Sequence, residues 1–303
     1  MDESKEELKE KKQEKTPEKK SQKKEELNDD KKEKTTLKLE IRKHKMDILF
    51  WALSFFGVII IYVFICSKDL GFLLVMSSFT QLLSFSIIYF KVEDYKSVSG
   101  LSGNSLAIYS ISLICRLLST VFYDEYVPED CAGMWAYVLA EFTSLFIVFY
   151  LLTAVYDVYK ETADKIDEDL SYYYFAIPCF ILAYYLRSDL NDSGFNDFCW
   201  AFSMYYESFA IVPQIVLFVR KKGQIETFTS HYVGLCGLSR LFSLIFWCNT
   251  FHQLEPDEDT PYGYLFGYVV VGAQALQLLF MVDYYFLYFR SLFKGQKINT
   301  MDI

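Results

Sequence analysis

The sequence predicts an all-α membrane protein with eight transmembrane helices, and three observations carry that prediction. From about residue 48 to 289 the chain falls into apolar blocks of roughly 20 residues, the length that crosses a bilayer. These blocks lack the alternation of strands, and backbone groups in lipid must be satisfied within their own segment, which a helix achieves. Lys and Arg outside the blocks fall almost wholly on alternate connections, as in a polytopic protein of fixed orientation.

Residues 1–46 come first and differ in kind. They hold 16 basic and 13 acidic side chains but only seven apolar ones, a net +3, whereas the rest of the chain has 14 basic against 26 acidic groups, a net -12. A head this dense in charge cannot bury enough surface to offset its ordering entropy, so the composition predicts a disordered Lys/Glu-rich tail. The apolar blocks follow at about 48–66, 70–90, 103–123, 134–157, 171–188, 196–219, 229–250 and 262–289. The first is read as an extra transmembrane helix (47–69), the next seven as a core (70–290), and residues 291–303 as a C-terminal tail.

Orientation follows from the basic residues. With the N-terminal tail in the cytoplasm, the cytoplasmic segments carry 26 Lys and Arg and the opposite side only Lys68 and Arg187; without the tail the split is still 10 to 2. Both termini are therefore expected to be cytoplasmic. The acidic loops with Asp124, Glu125, Glu129 and Asp130, and with Glu255, Asp257, Glu258 and Asp259, then face a lumen or exterior. Asn191-Asp192-Ser193 on that side is a glycosylation sequon in a short loop.

Several function classes drop out. A nucleic-acid-binding face concentrates basic residues, but here they sit in a tail diluted by acidic ones, so no nucleic-acid partner is expected. Seven cysteines with no CxxC pair point to neither a zinc site nor a disulfide framework, and no cofactor is implied. No nucleophile, base and orienter stand at a recognisable spacing, so the chain does not read as an enzyme. The first apolar run begins too late for a cleaved signal peptide.

Two helices carry similar text, Arg116-Leu-Leu-Ser119 and Arg240-Leu-Phe-Ser243, 124 residues apart. Four crossings lie between them, so the copies share an orientation. The pattern is that of a parallel repeat of three helices joined by a linker helix; chance similarity of two apolar helices is the alternative.

Ionisable groups inside the spans locate the chemistry. Arg116 and Arg240 fall mid-membrane or deeper, Glu207 near the middle of the sixth span, Glu141 about two turns from the lumenal end of the fourth, and Asp197 at the mouth of the sixth. A charge at such depth costs about 3 kcal/mol on insertion, so it usually faces a protein interior or a water-filled cavity. The groups point either to a polar cavity opening to the lumen or to structural ion pairs, Arg116 with Glu141 and Arg240 with Glu207. Asp283 is expected near the cytoplasmic end of the last span, and Pro213-Gln214 is expected to kink the sixth, Gln214 re-satisfying a freed carbonyl. None of the three histidines lies at the midplane.

Five strings carry a resemblance. Ser97-Val-Ser-Gly-Leu-Ser-Gly103, Trp200-Ala-Phe-Ser-Met-Tyr-Tyr-Glu207, Ala210-Ile-Val-Pro-Gln214, Glu226-Thr-Phe-Thr-Ser-His-Tyr232 and Asp283-Tyr-Tyr-Phe-Leu-Tyr288 resemble the KDEL receptor (ER lumen protein retaining receptor) family over about residues 70–297. The resemblance implies a seven-helix 3+1+3 core similar to the SWEET sugar transporters, with the extra first helix of an eight-helix subgroup. It implies a receptor that captures Lys-Asp-Glu-Leu-like C-termini of lumenal proteins in the acidic Golgi and releases them in the ER, with a retrieval coat as cytoplasmic partner. By position, Arg116 meets the cargo carboxylate, Asp197 faces the cargo's basic residue, and Glu207, Arg240 and Trp247 complete the site. Asp283, Lys294 and Lys297 serve retrieval, the Lys294-Gly-Gln-Lys297 tail loosely matching a coat-read lysine signal.

The departures are specific. Leu74 and Thr250 stand where the family has cargo-binding arginines, Gln81 where it has the pH-sensing histidine, Ser119 for an aspartate and Ser239 for a tyrosine. Three readings therefore stand: a retrieval receptor with altered signal preference, a SWEET-like small-solute carrier, and a related trafficking protein that has lost signal binding. The buried arginines suit a carboxylate better than a neutral sugar.

Overall fold

A computed structural model describes residues 70–123, 126, 134–165, 171–191, 193–221, 225–254 and 265–294. The expected tail (1–46), the extra helix (47–69), most of both acidic loops, Asp192 of the sequon and Lys297 lie outside the described residues, as does the Lys294 side chain. Chain contacts divide the protein into Met1–Gly57 and Val58–Ile303, and every described residue belongs to the second unit.

All regular structure among the described residues is helical: α1 Gly71–Tyr95, α2 Gly103–Thr120, α3 Met134–Thr153, α4 Tyr173–Tyr185, α5 Gly194–Glu207, α6 Val212–Lys221, α7 Thr227–Thr250, α8 Phe266–Phe280 and α9 Val282–Lys294. Their bounds follow local chemistry. Helix α1 stops at Lys96, which takes a left-handed conformation (φ 50°). Gly100, at φ 79°, turns the chain into α2, and the Ser102 side chain caps that helix by accepting from the Ser105 N–H at 3.1 Å. Helix α3 runs on through a π-helical turn, Ala154–Val158.

Four helical stretches are long and apolar enough to cross a membrane: Gly71–Tyr95, Trp135–Val158, Gly194–Lys221 and Thr227–Leu254. Helices α8 and α9 make a fifth if the pair, bent by 46°, is one span. The two other expected spans are helices at their expected places, but of other character. Helix α2 is diluted by Asn104, Ser105, Ser110, Ser112, Arg116 and Ser119, while α4 has 13 residues, about 20 Å at 1.5 Å each. Among its described residues the protein is thus all-helical and multi-pass.

Two expected spans are broken rather than straight. The sixth divides at residues 208–211, just before Pro213, whose missing N–H cannot continue the ladder. Gln214 does not return to its own helix, contrary to expectation. Its Oε1 accepts from the Ser102 N–H at 2.9 Å and its Nε2 donates to the Gly100 carbonyl at 2.8 Å, fixing the turn before α2. The carbonyls at the break are taken by other donors, Ala210 by the Ser105 hydroxyl at 2.5 Å and Phe209 by the Val212 N–H at 3.0 Å.

Packing sets up the interior. Helix α1 lies along α7, α2 along α5; α3 packs on α1 and α2, α8 on α7 and α5, and α4 on α5. Gly267 lets the start of α8 approach the end of α7, since a Cβ there would fall 2.5 Å from the Phe251 carbonyl oxygen. The core is unusually aromatic, with Tyr109, Trp200, Tyr205, Tyr206, Tyr232, Phe246, Phe266 and Tyr284 among its largest fully buried side chains. At the end of the bundle with loop 96–102 and residues 225–226, buried Lys91 pairs with Glu226 at 2.6 Å and donates to the Ser99 carbonyl and Thr229 Oγ1. Lys221 pairs there with Asp164 at 2.9 Å. Lys96, outside the helices, is held above its ordinary pKa by its hydrogen bond to Glu93.

Candidate ligand-binding site

The site assembles from five helices, each contributing polar side chains on its inward face. Glu207, at the last turn of α5 and fully buried, is its centre. One carboxylate oxygen, Oε2, accepts from Arg116 Nη1 of α2 at 2.6 Å and from Arg240 Nη1 of α7 at 2.9 Å. The other, Oε1, accepts from Gln81 Nε2 of α1 at 2.8 Å. Gln81 in turn accepts from Arg240 Nη2 through its own Oε1, so it bridges a carboxylate and a guanidinium. Arg116 Nε donates to Glu141 Oε2 of α3 at 2.9 Å, and Ser78 Oγ donates to Glu141 Oε1 at 3.0 Å.

Four charged groups therefore neutralise one another away from water: Arg116 and Arg240 are each 3% exposed, Glu141 2% and Glu207 0%. Buried charges cost several kcal/mol each unless paired and hydrogen-bonded, which is why every carboxylate oxygen here has a partner. The supporting shell is made of small hydroxyls; Ser77 Oγ donates to the Ser239 carbonyl at 2.9 Å and lies 3.1 Å from Ser239 Oγ, holding α1 against α7.

Beside this network lies a small cavity lined by residues from the loop after α2 and from α1, α2, α3, α5 and α7, among them Leu74, Ser77, Arg116, Glu141, Arg240 and Trp247. Its free space, ≈ 10 Å³, holds about one water molecule. Two buried donors on its wall, Arg116 Nη2 and Trp247 Nε1, find no partner among the described residues. An unsatisfied buried donor costs about 1–3 kcal/mol, so a site with two of them on residues lining one cavity is poised for an acceptor. Aromatic rings close one wall: Tyr126 stacks on Trp200 at 4.3 Å, and Trp200 meets Trp247 edge-on at 5.4 Å.

The expected site residues divide into three groups. Arg116, Glu207 and Arg240 share one network, so the ion pairs read from the sequence are present, and Trp247 lines a void for about one water beside them. The pairing is also wider than expected, since Arg116 reaches both glutamates. Asp197 sits apart in the first turn of α5, its Oδ1 accepting from Tyr126 Oη at 2.7 Å and the Asn191 N–H at 3.1 Å. Burial and this hydrogen bond raise the Tyr126 phenol above its ordinary pKa. Asp197 Oδ2 is buried without a partner among the described residues. Asp283 is not the end of a straight span: it is exposed in the first turn of α9, beyond the bend, where the positive end of the helix dipole favours a carboxylate.

Sequence reading missed Ser77, Ser78 and the bridging role of Gln81. The signal was there: positions 77, 78, 81 and 84 are polar at helical spacing on one face of an apolar block. Tyr126 could not be found that way, because it lies in a loop and reaches the site only through the fold.

Comparison with known proteins follows the same residues. The profile of the family described as ER lumen protein retaining receptor matches residues 97–250. The ER lumen protein-retaining receptor of Entamoeba histolytica is 27% identical over 229 residues, 74% of this chain and 95% of its own length. That of Dictyostelium discoideum is 28% identical over 220 residues, 71% of this chain and 92% of its own. ER lumen protein-retaining receptor 2 of Bos taurus is 24% identical over 222 residues, 73% of this chain and 94% of its own. The matched segment carries Arg116, Glu141, Glu207, Arg240 and Trp247, and with it this chain belongs to the ER lumen protein retaining receptor family.

Proposed function

We propose that this protein is a membrane receptor that captures the C-terminal retention signals of ER lumenal proteins and carries them back from the cis-Golgi to the ER. One observation supports this most: a buried guanidinium, Arg116, with an unpartnered Nη2 on the wall of a cavity that also holds Arg240 and the free Trp247 Nε1. Arginine presents a planar fork that fits a carboxylate bidentately, and a protein's C-terminus is a carboxylate that any polypeptide cargo can offer. The names of the relatives point the same way.

In this reading the described helices are seven of eight spans, arranged 3+1+3, with both termini, the retrieval coat and the lysines at 294 and 297 on the cytoplasmic side. The packing supports the repeat: the first helix of each triplet lies on the second helix of the other (α1 on α7, α5 on α2), and the third packs on its own first two (α3 on α1 and α2, α8 on α5 and α7). Helix α4 is the linker. Arg116 receives the carboxylate, with Arg240, Glu207 and Trp247 around it and Asp197 at the mouth, toward the basic end of the signal.

The test is capture of C-terminal peptide libraries by the detergent-solubilised protein at about pH 5.5 and about pH 7.4. Enrichment of free-acid over C-terminally amidated peptides is expected, and its loss in Arg116→Ala. Equal recovery of acid and amide forms refutes the receptor reading.

A further inference from the structure

The site's charge balance limits what a captured signal can be. Arg116 and Arg240 are the only cations among the described residues that line the cavity, and both are already matched by Glu141 and Glu207. Asp197, fully buried one turn before Trp200, adds a further carboxylate without a cationic partner among the described residues. The four network charges therefore cancel, and Asp197, held apart behind Tyr126, leaves no surplus of positive charge.

The rest of the wall is uncharged. Leu74 presents an alkyl chain, Met204 a thioether, and Ser77, Ser78 and Ser243 hydroxyls, of which the first is engaged with Ser239 and the second with Glu141. Near the end of α7, the Thr250 hydroxyl is turned back on the Phe246 carbonyl at 2.9 Å and is occupied. The fully buried unpartnered donors on this wall are two, Arg116 Nη2 and Trp247 Nε1, beside the neutral hydroxyls of Ser243 and Tyr137. That inventory serves one carboxylate group. A second or third carboxylate would enter a buried site whose two cations are already matched, where an unpaired ionised group is strongly disfavoured.

We propose that the site selects C-terminal signals bearing a single anionic group at this end, the terminal carboxylate, with uncharged side chains rather than Asp or Glu at the positions before the last residue. The proposal rests on the receptor reading above and names its ligand class. Leu74, Ser77, Met204 and Ser243 are the specificity-determining surface for those positions, and they suit small polar or apolar side chains.

The experiment uses the full chain in detergent and four fluorescent decapeptides, ending in Lys-Asp-Glu-Leu or Lys-Asn-Gln-Leu, each as free acid and as amide. The two free acids are nearly isosteric and differ by two charges. The neutral free acid is expected to bind at least tenfold more tightly than the acidic one, a difference of about 1.4 kcal/mol, and both amides to lose binding. Leu74→Arg, which places a cation on the wall, is expected to raise affinity for the acidic peptide at least tenfold, with a cooperative thermal unfolding transition in tryptophan fluorescence reporting that the variant is folded. An acidic peptide that binds wild-type protein as tightly as the neutral one overturns the selectivity and leaves the receptor reading standing. Binding of neither free acid overturns the receptor reading, and the selectivity with it.

Discussion

Glu207 is the residue on which the buried network turns, and its replacement by glutamine tests the whole arrangement. The side chain keeps its volume and one acceptor but loses its charge. Two guanidiniums, each 3% exposed, then face a single carboxylate, Glu141, which contacts only Arg116. Breaking a buried pair by removing one partner costs about 3–5 kcal/mol, because the other charge stays desolvated. At roughly 2–4 °C per kcal/mol for a chain of this order of size, Glu207→Gln is expected to lower the unfolding midpoint by about 10 °C. The assay is thermal unfolding in detergent followed by tryptophan fluorescence. Pairing it with Arg240→Gln completes a cycle: the double variant restores charge balance and should recover more than half of the loss, a coupling of at least about 2 kcal/mol. A Glu207→Gln midpoint within about 2 °C of wild type, or strictly additive losses in the double variant, refutes the reasoning.

The other predictions concern binding and topology. Arg116→Lys is expected to weaken free-acid peptide binding by at least tenfold, since an ammonium cannot replace the planar fork; unchanged affinity in peptide titration refutes the assigned contact. Glu141→Gln should strengthen binding of the same peptides by about threefold or more, because the internal carboxylate competing for Arg116 is gone; weaker binding in the folded variant argues that Glu141 supports the ligand instead. Gln81→His should make binding steeper with acidification: an imidazole protonated near pH 5.5 and neutral near pH 7.4 adds a positive charge beside Glu207 only at the lower pH. The native protein, whose cavity lining contains no histidine, is expected to vary less than tenfold between those values, and a larger rise on acidification would pass the switch to Glu141 or Glu207. Protease added to intact microsomes should remove the lysine-rich N-terminal tail, and its protection would invert the topology.

How much of this was legible beforehand depended on the physics of each feature. Helix positions were readable because lipid imposes a length and forbids other backbone arrangements. Arg116, Arg240, Glu141 and Glu207 were readable as a set because a charge in an apolar block is expensive enough to need a reason. What the residue order could not contain was which carboxylate meets which guanidinium, since that depends on how α2, α3, α5 and α7 rotate about their axes. The sharing of Glu207 by two arginines and the bridge made by Gln81 emerge only from that packing. The misreading of Gln214 has the same origin, for a side chain near a helix break can reach a neighbouring loop as easily as its own helix, and here Ser102 and Gly100 lie within reach. The bend between α8 and α9 was not legible, because an apolar block of the right length reads as one span even where the helix turns by 46° within it.

The closed network also says how a ligand carboxylate must enter. With room for about one water beside Arg116, a peptide end cannot simply be added; it has to take the place of a carboxylate already there. The two candidates are held unequally. Glu207 accepts from two guanidiniums and an amide, whereas Glu141 accepts from one guanidinium and one hydroxyl. Charge-assisted hydrogen bonds are roughly twice as strong as neutral ones, so Glu141 is the partner that yields. It is held on the Nε edge of Arg116, next to the unpartnered Nη2, and those two nitrogens together form the bidentate face a carboxylate needs. On the proposed receptor reading, capture is then an exchange of one carboxylate for another on the same edge of the same arginine. The strength of the new ion pair is largely offset by the Arg116–Glu141 pair it displaces. What remains to set affinity is the second nitrogen, Trp247 Nε1 and the fit of the side chains that follow. An exchange so nearly balanced lets modest changes in the surroundings of Glu141 decide whether a signal is held or released.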